Sequence, residues 1–395
     1  MTRFAYSIAA LSITMTSVNL SQAASFDSDL ALLADNYQPI VLTSGDNRLA
    51  VLAEFQGRAM VSSMSGDQGN SIGWFDRELL KQDLSEIENL NVGGVSRLWF
   101  GPEKGPYALF FEPGTAQVAE TVHYQEAITT VAFDIVNQTP QQVTFEQDIQ
   151  LVNHMETEFS FHVSRSVALF DAAELAKSLA VTIPDGIRAI GFSASTTLTN
   201  AGNKPLSRQT GLISIWELGC FSPNATIAIP LSQPLTEVTS YFTPTKASHT
   251  KIVDETVFYK ADASYMNKIG VPPEQTKPII GSYNPELNLL TIVKFQFEPP
   301  EDGSYVNSVW QDDVDPYGGD VTNIFNYGLL ANGQPGPFYE LETSSHAREL
   351  AIGESLSHYH NTYHFSGDQQ QLSILSEALL GVSLQQLQQV FTATN

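Results

Sequence analysis

The sequence predicts an all-β protein, a large antiparallel β-sandwich with short helices at its C-terminus. Apolar runs are short and separated by turns rich in Gly, Asp or Pro, and the clearest, Thr291, Val293, Phe295 and Phe297, alternates with period two. No strand-helix-strand alternation, long heptad or fixed-period repeat is visible. Helical spacing is confined to a few short stretches.

The first residues read as a signal peptide, 1–23, and the mature chain as one domain, 24–395. Arg3 supplies the positive start, Phe4 to Met15 the apolar core and Ser21-Gln22-Ala23 the small-residue cleavage site. A dozen or so apolar residues fall short of the roughly 20 that a permanent span needs, so a soluble periplasmic or secreted protein is expected. Cys220 is the only cysteine, which excludes an internal disulfide and a lipid anchor near the start. The 43 acidic residues against 19 basic ones give a net charge of −24. Such a surface repels phosphate backbones and anionic lipid, so nucleic acid is not an expected partner.

From Leu49 to Phe111 the runs read as a β-meander, with one helical insert from Glu78 to Asn89. Val131, Phe133 and Ile135, then Val143, Phe145, Ile149 and Leu151, predict a hairpin turning at Gln138-Thr139-Pro140 and half-buried on one side. Asp171 to Leu179 predicts a helix. Strands follow at Ile190 to Leu198, Leu212 to Leu218, Thr226 to Ile229 and Thr256 to Lys260. In the tail, Leu372, Leu375, Leu379 and Leu380 recur at helical spacing. Gly381 closes that helix and Ser383 caps a second, the pair being expected over an open sheet edge.

Chemistry concentrates between Phe338 and Phe365, where carboxylates, histidines and aromatics crowd together. On a strand Phe338, Glu340, Glu342 and Ser344 share one face, and on the next Leu356, His358, His360, Thr362 and His364 share another. Two carboxylates on one face can divide acid and base roles when their surroundings differ. Upstream lies an acidic aromatic loop with Asn307, Trp310, Asp312, Asp313, Asp315, Tyr317 and Asp320. Its aromatic rings can stack on a pyranose while Asp and Asn bond its hydroxyls, although Trp310 serves equally well as core. The histidine row resembles the HxH strand of cupins only partly, and the loop lacks the Gly and terminal Glu of an EF-hand, so no metal or other cofactor is expected. Phosphate-binding Gly-rich loops, nucleophile elbows, HExxH helices and paired CxxC motifs are all absent from the sequence.

Leu341-Glu342-Thr343, then Leu350 and Gly353-Glu354, then Thr362-Tyr363-His364-Phe365, is similar to the C-terminal signature of aldose 1-epimerases, the galactose mutarotases. Ile352 stands where that signature has proline. The blocks Gly57-Arg58, Trp74 to Glu78, Gly211 to Trp216, Tyr305 to Trp310, Pro316 to Asp320 and Phe338 to Glu342 resemble an uncharacterised exported bacterial family of the same superfamily. The resemblance implies a galactose mutarotase-like β-supersandwich with Glu342 as the general base that takes the anomeric hydroxyl proton. The Asn-His-aromatic motif that supplies the acid in mutarotases has no match. Asn153-His154 is followed by Met155, and no histidine lies between Thr197 and Trp216.

The reading is therefore an exported, monomeric, carbohydrate-active protein that recognises a small sugar or oligosaccharide end. Its expected catalytic residues are Glu342, with His358 or His360 replacing the missing acid, and its expected substrate contacts are Trp310, Asp320, Tyr317, Glu340 and Asn307. A glycan-binding protein without turnover, and a lyase or hydrolase on a related sandwich, are the alternatives.

Overall fold

The computed structural model describes residues 24–82, 84, 87, 91–299 and 304–392, so the expected signal peptide lies outside the described residues. Strands β1 (Ile40–Ser44), β2 (Asn47–Leu52) and β3 (Arg58–Ser63) form a small sheet. Next come β4 (Arg97–Gly101), β5 (Asp134–Gln138), β6 (Gln142–Val152), β7 (Glu158–Leu169), β8 (Arg188–Asn200), β9 (Ser214–Phe221) and β10 (Ala225–Pro230). The short β11 (Thr239–Ser240) and β12 (Thr250–Val253) precede β13 (Thr256–Ala261), β14 (Asn267–Val271), β15 (Ile279–Asn284) and β16 (Leu289–Phe295). The last are β17 (Thr322–Asn326), β18 (Tyr339–Ser344) and β19 (Ser355–Ser366).

Two large sheets result. One has ten strands in the order β12-β13-β10-β15-β16-β19-β8-β7-β6-β5, the other six in the order β11-β14-β17-β18-β9-β4. Neighbouring strands in all three sheets run antiparallel. The expected antiparallel sandwich is what the chain forms. Leu98, Phe100, Ile215, Ile324 and Leu341 of the six-stranded sheet join Val163, Val167, Phe192, Val293 and Tyr259 of the ten-stranded sheet in one buried cluster. Period-two alternation drives this packing, because each strand must present its apolar residues to the same side.

The helices shield outer faces. The helix α1 (Phe26–Ala34) packs its Phe26 and Leu33 with Leu52, Met60 and Val61 of the small sheet. A single turn, α2 (Glu126–Thr129), follows β4, and the helix expected from Asp171 to Leu179 forms as α3 (Ala172–Leu179), with Asp171 as its N-cap. In the tail, α4 (Gln369–Leu380) ends at Gly381 with φ 74° and α5 (Leu384–Gln389) starts at the Ser383 cap. Leu372, Leu375 and Leu387 pack with Ala228, Tyr283, Ile292 and Tyr363. Those residues lie on β10, β15, β16 and β19, the middle of the ten-stranded sheet. The helices therefore cover a sheet face and not the expected edge, because these strands are apolar on both sides and the second side needs a cover.

Within the expected insert Glu78 to Asn89 a 3₁₀ turn, Leu79–Lys81, forms and Leu84 is also in 3₁₀ conformation, while residues 83, 85–86 and 88–90 lie outside the described residues. The hairpin forms, but β5 is an edge strand exposed along its whole length, with Ile135 48% exposed and a bulge between Ile135 and Asn137. Phe133 is buried just before β5 begins, so the alternation there belongs to the approach to the strand.

Charge is buried inside the sandwich as well. Arg165 of β7 reaches across to Glu217 of β9 in a two-pronged pair, Nη1 to Oε2 at 2.8 Å and Nη2 to Oε1 at 2.7 Å. Thr196 accepts from the same guanidinium at 2.9 Å and Ser96 donates to Glu217. Both partners are sealed from solvent, at 0% and 1% exposed. Truncating one leaves the other charged and alone, so Arg165→Met should lose about 3–5 kcal/mol of unfolding free energy. Arg165→Met with Glu217→Leu should lose far less than the two single losses combined. Urea unfolding of the variants checks this, and a loss below about 1 kcal/mol for Arg165→Met would contradict it.

Candidate functional site

Strand β18 sits inside the six-stranded sheet between β17 and β9, so both of its edges are paired, and Tyr339 to Thr343 are buried. Tyr339, Leu341 and Thr343 point into the sandwich. Glu340 and Glu342 point away from it, at 4% and 0% exposed. A buried carboxylate must be paired or hydrogen-bonded, and the residues that meet these two build the site.

Glu342 Oε2 accepts from Lys268 Nζ at 2.9 Å and from Trp216 Nε1 at 2.9 Å, while Oε1 has no partner among the described residues. Lys268, on β14, lies 4.2 Å over the Trp216 ring and 3.9 Å from Glu103 Oε2. Glu103 Oε1 in turn accepts from Trp310 Nε1 at 3.1 Å. The Lys268 ammonium is thus shared by two carboxylates, and the Trp310 indole is tied to the outer of them. Glu340 pairs with Arg97 of β4 and accepts from the Cys220 thiol at 3.2 Å. Asp320 accepts from Thr239 Oγ1 and from Tyr241 Oη, both at 3.0 Å. It fits against β14 only because residue 270 is glycine: a Cβ there would lie 2.0 Å from Asp320 Oδ2.

Burial governs the acidities. It raises Glu103, which also faces Glu342, against the opposing pull of Lys268. Burial pushes Glu340 up to about 7 even with Arg97 beside it, the charge on Glu342 adding to the rise. Asp320 is pushed up to about 6 by burial, which outweighs its hydrogen bonds from Thr239 and Tyr241. Carboxylates with acidities spread toward neutrality around one lysine can hold and pass a proton. The cavity beside Lys268 and Asp320, lined also by Trp216, Tyr241, Ser308 and Asn323, measures about 10 Å³, room for one water.

The histidines lie elsewhere. His358 Nε2 and His360 Nδ1 sit 2.8 Å and 3.0 Å from Thr343 Oγ1, inside the sandwich. Thr343 and Glu342 are successive residues of one strand, so their side chains leave opposite faces. The expected grouping of Glu342 with His358 and His360 is therefore corrected: the strand itself separates the two sets, and neither imidazole can pass a proton to a group held by Glu342. Trp310, Asp320, Glu340 and Glu342 do come together on the outer face. Asn307 and Tyr317 do not join them. Asn307 Nδ2 donates to the Asp315 and Gly318 carbonyls and Tyr317 Oη to the Arg208 carbonyl, so both brace the loop that carries Trp310. Lys268, Glu103, Arg97, Trp216 and Tyr241 complete the cluster from four separate segments. The one local sign of Lys268 is a lone cation in the otherwise uncharged run Asn267 to Val271.

The family model described as "Family of unknown function (DUF6786)" matches residues 24–391, and the chain belongs to that family. No curated protein sequence matches it. Among solved structures it is similar to the Slr1438 protein of Synechocystis sp. PCC 6803, at 14% identity over 85% of this chain and 97% of that one, with a TM-score of 0.49. It is similar also to a galactose mutarotase-like protein of Lactobacillus casei ATCC 334, at 10% identity over 83% and 100% of the two chains and a TM-score of 0.48. A galactose mutarotase related enzyme of Lactobacillus acidophilus matches at 9% identity over 84% and 99%, with a TM-score of 0.44.

Burial pushes His358, His360 and His364 down to about 3, so the folded chain keeps them neutral while the unfolded chain protonates them below about 6.5. Between those values the unfolded state binds more protons, so the stability these groups contribute is lost as pH falls through the window. Glu340 and Asp320 act in the opposite sense: their raised values favour the folded state at low pH, an advantage lost as pH rises through about 7 and about 6. His364→Phe isolates one histidine, since the ring already sits among Phe192 and Phe221. Between about pH 5 and about pH 6 its unfolding free energy should change with pH less steeply than wild type, by up to about 1.4 kcal/mol per unit. Urea titrations at both values check it, and an identical slope would contradict it.

Proposed function

We propose that this chain is an exported carbohydrate-active protein with aldose 1-epimerase-like chemistry, in which Glu342 is the general base. A small sugar or the reducing end of an oligosaccharide would stack against Trp310 and place its anomeric hydroxyl at the unpartnered Oε1 of Glu342. That oxygen takes the hydroxyl proton, the bond from C1 to the ring oxygen breaks, and its electron pair goes to the ring oxygen. The ring oxygen takes a proton from Glu103. Rotation of the freed aldehyde and the reverse steps close the ring as the other anomer.

The observation that carries this reading is the shared lysine: Lys268 lies 2.9 Å from Glu342 and 3.9 Å from Glu103. Its ammonium can stabilise whichever carboxylate is ionised as the proton moves between them. Burial raises Glu103, which favours its protonated form and suits it to donate. The resemblance of Leu341-Glu342-Thr343 to the mutarotase signature supports Glu342 as base, and the signal-like residues 1–23 support export to the periplasm or beyond.

Admission of a pyranose requires the cover over Lys268 to move, because the enclosed space is about 10 Å³. That cover includes Trp310, held by its indole on Glu103 and by its backbone N–H on the Tyr241 carbonyl at 2.9 Å. The small space favours a second reading, a monomeric glycan-binding protein that grips sugar at the rim without turnover.

Polarimetry of anomer interconversion across common aldoses separates the two. The first reading expects acceleration by the wild type, a drop of about 10²-fold or more in Glu342→Gln, and loss of the alkaline limb of the pH profile in Glu103→Gln. Sugar retention with no change of anomer ratio would select the second reading, and an unchanged rate in Glu342→Gln would remove Glu342 as base.

A further inference from the structure

A second cavity, of about 410 Å³, opens at the end of the sandwich where β9, β16 and β18 meet the segment 64–73 after β3. Phe221, Tyr339 and Thr291 form its floor, all buried. The outer wall is fixed by the N-terminal segment. Ser71 N donates to the Ala24 carbonyl at 2.8 Å, Phe26 N to the Gly69 carbonyl at 2.9 Å, and Ile72 pairs with Ser62. The space is therefore formed before any ligand arrives, within the usual range of about 300–1,000 Å³ for small-molecule sites.

Its chemistry runs against the rest of the chain. The protein carries a net charge of −24, yet among the described residues no Asp or Glu lines this cavity, and Arg188 does. The Arg188 Nη1 donates to Ser65 Oγ at 3.2 Å, which leaves further guanidinium N–H groups for an anion. Ser71 Oγ is buried without a partner among the described residues. The amides of Gln68 and Asn70 stand at the exposed rim, in position to bond hydroxyls.

We infer that this cavity binds a small carboxylate-bearing polyol of hexuronate size, its carboxylate on Arg188 and its hydroxyls on the rim amides of Gln68 and Asn70. A planar guanidinium takes a carboxylate through paired N–H donors, and an anion repelled by the general surface meets one local cation here. The site is separate from the Glu342 face, since Arg188 begins β8 in the other sheet.

Calorimetric titration of the full chain with sodium D-galacturonate, sodium D-glucuronate and D-galactose tests it. At least one uronate should bind, with affinity falling as salt rises, and any D-galactose binding, which belongs to the Glu342 face, should be unchanged in Arg188→Gln. Arg188→Gln should weaken the uronate about tenfold or more, and Leu287→Trp, at a rim residue 44% exposed, should block it by filling the space. Glu342→Gln should leave uronate binding unchanged, so failure of the base assignment does not touch this site. No binding of either uronate at millimolar concentration would overturn the inference. So would D-galactose binding that Arg188→Gln and Leu287→Trp weaken as much as they weaken uronate binding, or uronate binding that survives both variants.

Discussion

The contact on which the outer face of the six-stranded sheet depends is the ammonium of Lys268 held between Glu342 and Glu103. A carboxylate as fully buried as Glu342 is costly unless an opposite charge meets it, and β14 brings that charge across β17 to the same face of the sheet. Once Lys268 is committed, Trp216 has its stacking partner and Glu103 its reason to turn inward. Trp310 then follows Glu103. The same rule acts on Glu340 with Arg97, and inside the sandwich on Glu217 with Arg165.

Those pairs divide the molecule's polar interior by the pleat of a few strands. Glu217 and Thr343 face the sandwich interior, with Arg165, His358 and His360. Trp216 and Glu342 face outward, to Lys268. A one-residue slip of β18 or β9 would exchange the two sets and strand every charge, so the register is specified by electrostatics as well as by apolar alternation.

The antiparallel sandwich was legible because strand alternation is local: β16, β8 and the two C-terminal helices could be read from their own residues. The pairing of strands was not, since β19 beside β8 and β16, or β14 beside β17, joins segments far apart in the chain. The site followed the same division. That Glu340 and Glu342 share a face follows from period two, and so does the common face of His358 and His360. Which way each face points depends on the order of the sheets, and there proximity in sequence misled: the histidines close to Glu342 along the chain lie behind its strand. The tail helices cover a face for a similar reason, because the apolar outer side of β10 and β15 is visible only once those strands are known to be central. Glu103 carried no local pattern that would single it out, and Lys268 only its place as a lone cation in an uncharged run.

The account stands or falls on whether the Lys268 face receives sugar. A crystal structure of the full chain soaked with a neutral aldose measures this most directly. The account predicts the Trp310 indole displaced from Glu103 and a pyranose in its place, with the anomeric hydroxyl within hydrogen-bond reach of Glu342 Oε1. An aldose bound elsewhere on the molecule, with Glu342 still sealed beneath Trp310, would contradict it.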